Sequence, residues 1–74
     1  MAATNVKSPT AGVVTIVHKS PGETIALDEE LLVIECMKME IPIAAPATGR
    51  LSQITVKAGD AIVEDQVIAV IESA

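Results

Sequence analysis

The residues best suited to chemistry stand near the middle of the chain, as Glu35-Cys36-Met37-Lys38-Met39-Glu40. One lysine sits between two methionines. Its amine is a nucleophile that a separate enzyme can acylate. On position alone it is equally a solvated turn lysine, the usual case. A tight turn normally carries Gly, Asn or Asp at its tip, and this segment has none. If Met37 and Lys38 fill the two central positions of a type I′ turn, both take φ > 0, which is uncommon for such residues. Local backbone cost and exposed apolar side chains at a tip point to recognition by another protein. The sulfurs of Cys36, Met37 and Met39 raise the possibility of Cu(I) binding. Neighbouring strand side chains point to opposite faces, and no second Cys or His lies nearby, so that reading is set aside. His18 is the one histidine. It has no Ser, Cys or Asp constellation for a triad or a zinc site. The glycines are too far apart for a phosphate loop.

The elements that must position Lys38 follow from composition. Seventy-four residues make one domain, spanning residues 1–74, with a small core. There is no Phe, Tyr or Trp, and eighteen residues are Ile or Val. β-branched side chains favour strands, so the expectation is all-β, with four Gly and four Pro as turn punctuation. The net charge of −5 argues against nucleic acid and against an anionic membrane surface. No apolar run approaches the roughly 18 residues of a spanning helix. Residues Met1 to Asn5 lack the regions of a secretory signal, and one Cys makes no internal disulfide. The expected location is intracellular, in the cytoplasm or an organellar matrix.

Displacing the chain by 37 residues aligns it with itself without a gap. Val6 to Met37 then lies over Ile43 to Ala74, with eight of 32 positions identical. Pro9 meets Pro46, Gly12 meets Gly49 and Gly22 meets Gly59. Matched turn residues carry more weight than matched Ile and Val, because backbone geometry selects them. Two copies of one supersecondary unit are implied. Each copy reads as an opening strand (Asn5 to Ser8; Glu40 to Ala44) and a longer strand (Val13 to Lys19; Arg50 to Lys57). A short strand around Ile25 or Ile62 follows, then a closing strand (Leu31 to Cys36; Val67 to Glu72). Neither copy has the apolar area to bury its own face, so the two should share one core. Lys38 then lies on the connection between copies, a tight hairpin. A pseudo-twofold would put it on the side opposite the chain ends. Cys36 is mirrored by Ser73 and Glu35 by Glu72, so the fold accounts for both without function. Lys7, Lys19, Arg50 and Lys57 read as scattered surface charges.

Met37-Lys38-Met39 resembles the attachment motif of biotinyl domains, the biotin carboxyl carrier members of the biotin/lipoyl attachment family. The resemblance covers nearly the whole chain. Ser8-Pro9-Thr10-Ala11-Gly12 resembles the family's opening turn, Pro46-Ala47-Thr48-Gly49 its second copy, and Val56 to Asp60 its later turn. It implies a flattened barrel (a barrel-sandwich hybrid) of two four-stranded antiparallel sheets with quasi-twofold symmetry. It also implies covalent biotin at Lys38. A biotin protein ligase would activate the biotin carboxyl as an adenylate. The Lys38 amine then attacks it, forming an amide and releasing AMP, while the ligase supplies activation and geometry. Met37, Met39 and Glu40 would be read by that ligase, although Glu40 is equally a solvated acid. The implied partners are a biotin carboxylase and a carboxyltransferase of fatty acid or acyl-CoA metabolism. The domain itself would be a monomeric, non-catalytic carrier.

The chain departs from the family pattern in three places. Cys36 stands where Ala is most frequent, Asp28 and Asp65 stand where Gly is frequent, and the gapless repeat leaves no room for a protruding thumb. The sister lipoyl domains share the fold and usually have Asp before the lysine and a small residue after it. Methionine on both sides favours biotin. The alternatives are a lipoyl-type carrier and a β interaction module that is never modified.

Overall fold

The computed structural model describes residues 2–73 as eight strands and no helix. They are β1 (Ala2–Lys7), β2 (Gly12–Val17), β3 (Thr24–Ile25), β4 (Glu30–Cys36), β5 (Met39–Ala44), β6 (Gly49–Ile54), β7 (Ala61–Ile62) and β8 (Val67–Ser73). One sheet has the order β1-β8-β6-β3 and the other β5-β4-β2-β7. All pairings are antiparallel. Replacing each strand by the one 37 residues away turns one sheet into the other. This is the flattened barrel of two four-stranded sheets that the family resemblance implies, with the quasi-twofold that the sequence repeat implies.

The symmetry extends to detail. The bulge between Val14 and Ile16 has its counterpart between Leu51 and Gln53. The fully or nearly buried residues come as mates, such as Val14 with Leu51, Ile25 with Ile62, and Ile34 with Ile71. Each sheet contributes one member, so each copy covers the apolar face of the other. The copies also exchange backbone hydrogen bonds. Asp28 donates its N–H to Ala45 and Asp65 donates to Ser8, at 2.9 and 2.8 Å. Both aspartates hold φ near +69°, at 68° and 69°, the left-handed conformation for which Gly is the easier residue.

Strand limits differ from the sequence reading in a consistent way. β1 starts at Ala2 rather than Asn5, because β8 offers pairing partners up to Ala2↔Ser73. By symmetry β5 starts at Met39. The strands β2 and β6 end at Val17 and Ile54, short of Lys19 and Lys57. Register pairing resumes after each bulge but stops at Val17↔Leu32 and Ile54↔Ala69, and past it the backbone is held by bonds such as His18 N–H to Leu31 C=O at 2.9 Å. β4 gains Glu30 and β8 gains Ser73 at their ends.

Candidate functional site

Lys38 lies on the two-residue connection of the β4–β5 hairpin. Six register pairs hold the arms, from Glu30↔Ala44 to Cys36↔Met39. Ile34, fully buried, pins the hairpin to the core. Met37 and Lys38 have φ of 52° and 65°. Both central residues are therefore left-handed, the geometry of a type I′ turn, whose twist matches the flanking strands. For L-residues this costs roughly 1–2 kcal/mol each. Neither side chain recovers that cost by burial: Met37 is 90% and Met39 66% exposed, and Lys38 is exposed.

The tip projects. The neighbouring strand β2 reaches only as far as Val13↔Glu35 on β4, so the Cys36↔Met39 pair has no further strand beside it. What lies beneath it is the turn after β1, where the Thr10 hydroxyl approaches Cys36 Sγ at 3.7 Å. That turn is itself fastened, since the buried Ser8 Oγ donates to the Thr10 carbonyl at 2.5 Å. β1 runs away from this point. Its first residue, Ala2, lies about 17 Å along the strand from Lys7 at the usual rise per residue. Ala2↔Ser73 is the repeat mate of Met39↔Cys36, which puts Ala2 and Ser73 on the far side from Lys38. The mate of Met37 is Ala74, outside the described residues.

The amine of Lys38 has no structural duty. The charge contacts among the described residues are Lys19–Glu29 at 2.5 Å and His18–Glu30 at 2.6 Å, the latter an ion pair only with a protonated imidazole, and Lys38 makes no side-chain hydrogen bond there. An accessible amine at a hairpin tip, unengaged by the described side chains, fits the covalent attachment of a carboxylic acid cofactor. Among the described residues no three His, Cys, Asp or Glu side chains converge to hold a metal ion. Glu40 is exposed and opposes Glu35 in register. Two residues escaped the sequence reading. Thr10 supports the tip, but its repeat mate is Ala47, so the repeat gave no signal for it. Lys19 is held by Glu29, a pairing created only when β2 and β4 lie side by side. Each member shifts the other's titration. The hydrogen bond that Lys19 donates to the Glu29 carboxylate raises the Lys19 amine above its ordinary value. The bond from Lys19, helped by the Ala26 N–H, holds the Glu29 carboxyl below its own.

Known proteins of both carrier types resemble this chain. A probable dihydrolipoyllysine-residue succinyltransferase component of the mitochondrial 2-oxoglutarate dehydrogenase complex of Schizosaccharomyces pombe is 40% identical over 97% of the chain. Staphylococcus aureus pyruvate carboxylase is 44% identical over 85%. The mitochondrial propionyl-CoA carboxylase alpha chain of Sus scrofa is 38% identical over 88%. The chain spans only 17%, 6% and 9% of these relatives' lengths. Among solved structures, a single-chain, multi-domain long-chain acyl-CoA carboxylase superposes over 97% of the chain, with TM-score 0.90 and 25% identity. The chain covers 7% of that protein. The lipoyl domain of the Azotobacter vinelandii 2-oxoglutarate dehydrogenase complex superposes over 95% of the chain and 98% of its own length, with TM-score 0.79 and 27% identity. The biotin/lipoyl model described as "Biotin-requiring enzyme" matches residues 4–71, and with nearly the whole length accounted for, the chain belongs to the biotin/lipoyl attachment family of carrier domains.

Proposed function

We propose that this domain carries biotin, attached through an amide to Lys38, for a biotin-dependent carboxylase. The observation that carries the proposal is the exposed lysine at the apex of a type I′ hairpin, flanked by two exposed methionines. The left-handed tip is costly and its methionines gain nothing from the fold. Their presence is accounted for if a biotin protein ligase reads Met37 and Met39, and Glu40 beside them. The carboxylase relatives support the choice of biotin.

The chain's part in the chemistry is presentation. The Lys38 amine attacks the activated carboxyl of biotinyl-adenylate. A C–N bond forms, the mixed-anhydride C–O bond breaks, AMP leaves with the electron pair, and the amine gives up its proton. Attached biotin supplies a carrier for CO₂ between a biotin carboxylase site and a carboxyltransferase site. The hairpin carries the arm's origin at its tip, beyond the last β2–β4 register pair. The domain contributes no catalytic group.

A lipoyl carrier is the second reading, favoured by the succinyltransferase relative and by the lipoyl-domain superposition. Intact mass after incubation with ATP and biotin protein ligase plus biotin, or with lipoate and its ligase, separates the two. A gain of one biotin less one water, mapped to Lys38, is the expected result. A gain of lipoate alone transfers the domain to 2-oxoacid dehydrogenase chemistry. No gain on a folded sample leaves an unmodified interaction module.

A further inference from the structure

The internal duplication provides a control for reading surfaces. Two outer faces share one backbone, and a position that differs between them differs for a reason other than the fold. On the outer face of the sheet that carries Lys38, Glu35 is flanked by Val13 on β2 and Glu40 on β5. On the other sheet its mate Glu72 is flanked by Arg50 and Ala3, and Glu72 also accepts from Ser52 Oγ at 3.3 Å. The next exposed position on the same face is Ile16, opposite Val33, where the mate is Gln53, opposite Val70. Val13 and Ile16 are 41% and 47% exposed.

The mirror face is therefore polar, with Glu72 set in register beside a cationic residue, Arg50, and within hydrogen-bond reach of the Ser52 hydroxyl. The other exposes two aliphatic side chains beside two carboxylates directly opposite each other. Like charges in register repel, and neither ion pair among the described residues relieves them. The acidic pair lies one register step below the Cys36↔Met39 pair that closes the Lys38 turn. A surface that docks there receives the arm as well.

We infer that the outer face of β2, β4 and β5 is the docking surface for the partner that carboxylates the arm. That partner presents an aliphatic patch edged by lysine or arginine, while the mirror face stays in solvent. The basic edge follows from the uncompensated Glu35–Glu40 pair, and the patch from Val13 and Ile16. This inference rests on the carrier reading above.

The mirror face also supplies the test. Val13→Arg/Ile16→Gln installs residues that the same backbone already holds at Arg50 and Gln53. The biotinylated domain is assayed as substrate for the biotin carboxylase of the same organism, with free biotin and a Gln53→Ala domain as controls. The expected result is a KM raised about tenfold, the scale of losing one well-packed contact. Mass-verified biotinylation, kcat, free-biotin turnover and the Gln53→Ala domain should be unchanged. In the unaltered domain KM should also rise with ionic strength, as screening weakens the charged edge. An unchanged KM in the double variant, a salt-independent KM, or an effect confined to the ligase step overturns the assignment. A wild-type domain that gains no biotin overturns the carrier reading and this surface with it, and the mass spectrum tells that failure from the others.

Discussion

Gly12 lies against the backbone of Glu35. A Cβ at Gly12 would sit 2.6 Å from the Glu35 carbonyl oxygen and 2.7 Å from Ile34 Cγ2. Gly49 stands in the same relation to Glu72 and Ile71. The glycine matters here for room: it lets the start of β2 press onto the strand that leads into the Lys38 hairpin. Gly12→Ala should therefore destabilise the domain by about 1–3 kcal/mol, the usual cost of forcing atoms into a filled site. Thermal melting followed by circular dichroism measures it. Gly49→Ala should cost a similar amount, but only Gly12→Ala should also slow modification of Lys38, because Gly12 borders the hairpin.

Met37 separates stability from recognition. Its φ of 52° suits Asn better than Met. Met37→Asn should leave the melting temperature unchanged or raise stability by up to about 1 kcal/mol. The same change should lower kcat/KM of biotin protein ligase by about tenfold, the scale of one lost apolar anchor. Unaltered ligase kinetics would remove Met37 from the recognition surface.

The turn residues make the duplication legible in the sequence alone. Pro9 and Pro46, and Gly22 and Gly59, mark the same bends twice, with the two glycines at φ 97°, whereas Gly12 and Gly49 open β2 and β6, where close packing excludes a Cβ. The left-handed pair at Met37 and Lys38 was legible as a consequence of placing them on a two-residue hairpin. Strand ends were not. Ala2 to Thr4 carry no alternating apolar pattern, and they are strand only because β8 pairs with them. The Thr10–Cys36 approach and the Lys19–Glu29 pair join residues 26 and 10 positions apart in sequence, so only the packed sheets reveal them. The cofactor rests on the short Met-Lys-Met motif, because biotin and lipoate carriers share everything the fold dictates.

Glu29 has a built-in comparison in its repeat mate, Gln66. Glu29 Oε1 accepts from Ala26 N–H at 2.9 Å, and Gln66 Oε1 accepts from Val63 N–H at 3.0 Å. Glu29→Gln should keep this turn bond and lose only the ion pair to Lys19. Because Lys19 lowers the Glu29 pKa, the pair's contribution is present above the unfolded-state carboxylate value. It is lost as pH falls through the lowered folded-state value. The raised Lys19 pKa gives the opposite limb. That contribution is full below the ordinary lysine value and is lost as pH rises through the raised one. The melting-temperature gap between wild type and Glu29→Gln should therefore be small and flat near neutrality, and should close at both extremes. A gap that persists in strong acid would mean the substitution disturbs the turn itself.

Lys38→Arg isolates the amine. Arginine keeps the positive charge and the long exposed stem, and it meets the same left-handed backbone at φ 65°. Its guanidinium stays protonated and does not act as an acyl acceptor. The side chain of Lys38 makes no ion pair among those found in the described residues, so stability should stay within about 0.5 kcal/mol of wild type, as for other featureless surface changes. Covalent biotin should be abolished, read as the absence of any mass gain with ligase, ATP and biotin. Lys7, Lys19 and Lys57 remain in the variant as internal controls. A mass gain on one of them would show that the ligase reads the fold rather than the tip. A loss of stability without any wild-type mass gain would make Lys38 a structural residue and leave the exposed methionines without an explanation.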